Sequence, residues 1–182
     1  MSALVTYLPL LLMVACAAVI DARTRRIPNW LCLMVLLAGV GEAVQGDLPL
    51  TWGASLAGFG VGFVLLFPAF ALGAMGGGDV KLLAAIGAWT GPVGVIVVLV
   101  IASLVGMGIA IAQAARSGKF AALFKNSASL VVNLVHVRHM GVDHIQQQSS
   151  QFQSIDKPLP YAVPMLAGLV GWVIGVCVKT YV

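Results

Sequence analysis

Between positions 82 and 115 the chain carries no charged residue. One continuous helix over residues 80–115 would be about 50 Å long at about 1.5 Å per residue, against a bilayer core of about 30 Å. The stretch therefore has to break, and Trp89-Thr90-Gly91-Pro92 supplies turn chemistry at a suitable place. The reading is a short fourth span followed by a full fifth one. The short one is expected to be tilted, or to start inside a protein-lined cavity.

Four more apolar runs, over residues 4–20, 30–44, 52–72 and 161–178, bring the expected count to six spans. Composition agrees, because 60% of residues are hydrophobic and only 9% charged. A water-facing domain carries about a quarter charged residues, so most of this surface must face lipid. The expected architecture is all-α: a polytopic membrane helix bundle, with residues 1–182 as one domain. The amino-terminal run has no basic residues before it, and Arg23, Arg25 and Arg26 come after it. It reads as a first span and not as a cleavable leader. Residues 116–158 form the long polar segment. Phe120, Leu123, Phe124, Val131, Leu134 and Val135 are spaced there for one face of an interfacial amphipathic helix. Gln-Gln-Gln-Ser-Ser-Gln-Phe-Gln-Ser follows and reads as a flexible linker.

Charge tests this threading. With both termini outside, the inner loops hold Arg23, Arg25, Arg26, Lys81, Arg116, Lys119, Lys125, Arg138 and Lys157, leaving only Lys179 of the ten basic residues outside. Fusing the fourth and fifth spans would move the Arg116–Lys157 cluster to the wrong face, so six crossings satisfy the positive-inside rule. The same scatter forms no basic stripe for a nucleic acid. Cys16, Cys32 and Cys177 each stand alone in apolar runs, with no CxxC for a metal or a redox pair, and read as packing residues. His136, His139 and His144 have no acid at a matching helical offset and read as solvated side chains, so no metal and no cofactor is expected. Trp30, Trp52, Trp89 and Trp172 all fall near span ends and are expected to be interface anchors.

Only six acids occur: Asp21, Glu42, Asp47, Asp79, Asp143 and Asp156. Asp21 and Asp79 alone sit at span boundaries on the inner face, on different helices that a bundle can bring together. Two close carboxylates cannot easily both ionise, so one holds a proton while the other stays charged. That pair can activate water and polarise a peptide carbonyl without metal or covalent intermediate. Other readings are helix capping, pairing of Asp21 with Arg23, or a relay of protons or cations in a small transporter or channel. A non-catalytic assembly subunit is a further one. No GK[ST] completes a phosphate loop after the glycines, no internal repeat suggests an inverted-repeat transporter, and Ser103, Ser127 and Ser129 have no triad partners.

Gly76-Gly77-Gly78-Asp79 resembles the GxGD motif of intramembrane aspartyl proteases. The longer stretch GGGDVKLLAAIGAW is similar to its form in type IV prepilin peptidases. The segment DARTRRIPN resembles that family's first aspartate with its Ile-Pro-Asn turn, matching at Asp21, Ile27, Pro28 and Asn29. LPYAVP, residues 159–164, resembles its Pro-Tyr lead-in to the last span. The resemblance implies a membrane-embedded aspartic endopeptidase that removes leader peptides from prepilins or pseudopilins at the cytoplasmic face. It implies Asp21 and Asp79 as the catalytic pair, with Gly76, Gly77, Gly78, Lys81, Ile27, Pro28 and Asn29 in support. Lys81 would tune the carboxylate, bind substrate acid, or reach out to the interface. Partners would be the prepilin and the bilayer of a bacterial inner membrane. The short link after the first span has no cysteine, unlike the longer bifunctional members with paired CxxC motifs. The chain therefore resembles the small peptidases of Flp (tight-adherence) pili, without N-methyltransferase activity. Archaeal preflagellin peptidases share the motif pair.

Overall fold

A computed structural model of the chain describes residues 3–45, 50–71, 75–117 and 161–181. The polar segment assigned to an interfacial helix and linker, with its three histidines, lies outside them. The described elements are α1 (Ala3–Thr24), α2 (Asn29–Gln45), α3 (Trp52–Ala71), α4 (Gly77–Ser117) and α5 (Ala162–Tyr181). Four of these, all but the 17-residue α2, are long and apolar enough to cross a membrane. The chain is an all-helical membrane bundle.

Helix ends follow local chemistry. α1 runs past the expected end of its apolar run, through Asp21, to Thr24. It stops where Arg25 takes a left-handed conformation (φ 54°) and donates its amide to the Asp21 carbonyl at 2.8 Å, a left-handed C-terminal cap. Three residues on, Pro28 cannot continue a helix but can begin one. Its carbonyl accepts the Leu31 and Cys32 amides at 3.1 and 3.4 Å and opens α2.

The break expected at residues 89–92 is present within α4. Gly91 has φ 72° and ψ 178°, far from helical values, and a Cβ added there would meet Leu50. The chain reverses at this point. A Cβ on Gly62 would lie 2.9 Å from the Leu83 carbonyl oxygen and 3.1 Å from a Val95 methyl. In a straight helix residues 83 and 95 would be about 18 Å apart. Gly58, one turn earlier on α3, faces Gly87 and Gly91. Residues 77–90 therefore run antiparallel to α3, and residues 92–117 run back beside it. Counting the two arms of α4 separately, the described residues form six rods. The first arm spans only about 20 Å at about 1.5 Å per residue, so the turn sits at membrane depth. Non-helical backbone is tolerated there only inside protein, and Gly91 is buried.

That short arm is the centre of the molecule. Residues 82–90 are buried without interruption, which fits a helix apolar on all sides. α4 packs against α3, α5 and α2, while α1 rests chiefly on α5. Lipid is as apolar as leucine, so close backbone packing and interhelical hydrogen bonds must hold such a bundle together. Both are present at the Gly91 end. A Cβ on Gly58 would overlap the Gly87 carbonyl, the Ser55 hydroxyl donates to the Ala88 carbonyl at 2.7 Å, and the Trp89 indole donates to the Val35 carbonyl at 2.7 Å. Each such bond contributes about 1 kcal/mol.

Two expectations need correction. Trp30 and Trp52 are outward-facing, 59% and 65% exposed, as interface anchors should be. Trp89 is 0% exposed, because the adjacent turn lies inside the bundle and Gly39 leaves space for the indole. Trp172 is half-buried, edge-on to Tyr7 with ring centroids 5.0 Å apart. Among the cysteines, Cys32 is buried and Cys177 half-buried, but Cys16 is exposed on the outer face of α1.

Candidate active site

The helix directions carry Asp21 and Asp79 to the same end of the bundle, opposite the Gly91 turn. Asp21 lies in the last turn of α1 and is 5% exposed. Its carboxylate accepts the backbone amide of Ala162, the first residue of α5, at 3.2 Å. Asp79 lies in the first turn of α4 and is half-buried, with its amide donated to the Gly76 carbonyl at 3.1 Å. As α1 and α4 both pack on α5 but hardly on each other, the two aspartate-bearing helices leave a gap between them. A cleft of about 280 Å³ fills it, lined by Asp21, Arg25, Arg26, Ile27, Asn29, Gly76, Gly77, Gly78 and Asp79.

The expected supporting residues divide between lining and bracing. A Cβ on Gly78 would lie 3.1 Å from the Cβ of buried Ile27, so a glycine there lets the α1–α2 turn close onto the start of α4. The Cys32 thiol lies 3.9 Å from the Gly78 carbonyl on the same seam. Gly77 packs against the Phe70 ring, and Gly76 stands beside the Asp79 carboxylate. Pro28 is not among the lining residues; its part is to open α2. Lys81 is also outside the lining, and its ammonium donates to the Asn29 side-chain oxygen at 3.0 Å. That bond joins the Ile-Pro-Asn turn to the glycine-aspartate helix, a role narrower than the three weighed for Lys81 from sequence.

Four contributors escaped the sequence reading. Arg25 and Arg26 were assigned only to topology, yet both line the cleft, and their closeness to Asp21 in the chain was the available signal. The Ala162 amide is a backbone group and has no side-chain signature. Tyr161, within the LPYAVP stretch, is half-buried beside the pair. Burial, and after it the nearby Asp79 carboxylate, push its phenol above the ordinary tyrosine range.

Fold and site together define a membrane helix bundle with an aspartate pair facing a glycine-rimmed cleft at one end. The type IV leader peptidase family matches residues 8–111, a stretch that includes both aspartates, and the chain belongs to that family. Over 94 residues it is 36% identical to a protein of Xanthomonas campestris pv. campestris named prepilin leader peptidase/N-methyltransferase. The match covers 48% of this chain and 32% of that protein, so the chain spans about a third of that relative. No solved structure matches the chain.

Proposed function

We propose that the protein is an aspartic prepilin peptidase, which removes the leader peptide of type IV prepilins at the cytoplasmic membrane face. The observation that carries the reading is the convergence of Asp21 and Asp79 on one cleft at the arginine-rich end of the bundle. Family membership supports prepilin as substrate. In the reaction, the ionised carboxylate takes a proton from water while the protonated one donates to the scissile carbonyl oxygen. The hydroxide adds to the carbonyl carbon, giving a tetrahedral intermediate. Collapse breaks the C–N bond, and a proton passes to the leaving amine. Two carboxyl groups sharing one proton suit both halves of this exchange.

The finer reading is a peptidase-only enzyme for small Flp-type pseudopilins. Only residues 25–28 connect α1 to α2, which leaves no room there for a methyl-transferring domain. Nine basic residues on the loops that would face the cytoplasm support the assignment of side. The test is the purified protein in liposomes with a Flp-type prepilin, with product masses read by mass spectrometry. The expected product is a mature chain with an unmodified amino terminus, even with a methyl donor present. Intact precursor would refute the peptidase reading, and a methylated product would refute the peptidase-only one.

A further inference from the structure

The start of α5 touches Asp21, and the mechanism above makes no use of that contact. Ala162 is 0% exposed, and its amide donates to the Asp21 carboxylate across 141 residues of sequence. Tyr161 is the residue immediately before it. Its ring lies against Gly106 on the second arm of α4. Two consecutive residues thus tie the start of α5 to Asp21 on α1 and to the second arm of α4, and the helix packs on both.

The local geometry explains why this amide is available. The Tyr161 carbonyl accepts the Met165 amide at 3.2 Å, so Tyr161 caps α5 and Ala162 is its first helical residue. The amide of a first helical residue has no partner within its own helix. Buried as it is, it has no water either, and an unpaired buried amide is costly. Asp21 supplies the acceptor. Conversely, Asp21 sits in the last turn of α1, and a charge-assisted bond to a fixed amide restricts the orientation of its carboxylate.

We propose that the Ala162 backbone amide is a positioning group for Asp21, which makes the start of α5 a brace behind the active site that the two motif helices form. It acts through the aspartate and not on the substrate, and it rests on the aspartic-peptidase reading. The Ala162 amide holds one oxygen of Asp21, leaving the other oxygen to face water in the cleft. Losing a hydrogen bond to a charged group is expected to lower kcat about 10- to 100-fold.

Proline at a first helical position is well tolerated by the helix; it removes the amide hydrogen and sets its ring Cδ in that place, against the Asp21 carboxylate. The tests are therefore Ala162→Pro, which removes the donor, and Ala162→Gly, which keeps it. The expected result is that Ala162→Pro loses about 10- to 100-fold in kcat with KM within about twofold, while Ala162→Gly stays within about threefold of the parent in both. Parent-like kcat in Ala162→Pro, or equal losses in the two variants, would overturn the proposal. A second measurement needs neither activity nor a folded proline variant: hydrogen exchange at the Ala162 amide in the parent and in Asp21→Ala. Exchange at least about tenfold faster in Asp21→Ala, with α5 amides beyond Met165 unchanged, supports the bond. Unchanged exchange at Ala162 sinks it, whether or not the protein cuts prepilin.

Discussion

The two ends of this bundle are built on opposite principles. At the Gly91 end, polar groups are paired inside the protein: Ser55 with Ala88, Trp89 with Val35, and Gly58 against Gly87, around a fully buried indole. At the aspartate end, small residues leave a cleft, two carboxylates line it, and the surrounding side chains of Arg25, Arg26, Asn29 and Lys81 are exposed. One helix joins them, since residues 77–90 begin at the open end and finish at the sealed one. Glycine makes the contrast plain. At Gly58 its missing side chain lets two backbones touch, whereas at Gly76 it leaves the space beside the Asp79 carboxylate open. The sealed end gives a short helix a fixed place in the membrane, and that fixes where Asp79 stands.

Substitutions at the two ends should therefore fail differently. Gly58→Leu has the largest expected effect, because its side chain would run into the Gly87 backbone. A loss of about 3 kcal/mol or more is expected, seen as collapse of the thermal melt in detergent. Trp89→Phe keeps an aromatic ring, smaller than the indole, and deprives the Val35 carbonyl of its indole donor. It should cost about 1–2 kcal/mol of stability, with prepilin cleavage per folded molecule within about twofold of the parent. A large kinetic defect with an unchanged melt would break the division between the ends. Gly78→Ala is the smallest change, pressing a methyl on Ile27 at the cleft rim. It should lower cleavage about three- to tenfold and shift stability by less than about 1 kcal/mol, the reverse of the tryptophan pattern.

Much of this contrast is legible in the sequence. A 34-residue gap without charge cannot be one membrane helix, so the turn at Gly91 follows from length and from residues that permit it. Charge bias then places Asp21 and Asp79 at one face, and the structure brings both to one cleft. What escaped depends on partners that sequence does not display. Trp89 looks like an interface anchor until the turn beside it is known to be buried, and Cys16 looks like a packing residue until its helix face is known. The Ala162 amide is the clearest case: any non-proline residue there would present the same N–H, so its partner appears only when α1 and α5 are placed side by side.

The central claim is that Asp21 and Asp79 act as one catalytic unit at the open end. The measurement that tests it most directly is the rate of prepilin cleavage in liposomes by Asp21→Asn and Asp79→Asn, each matched to the parent in inserted protein and thermal melt. Asparagine keeps the shape and removes the proton chemistry, so each single variant should lose at least about a hundredfold, and the double variant little more than either. Parent-like cleavage by either single variant would contradict the account.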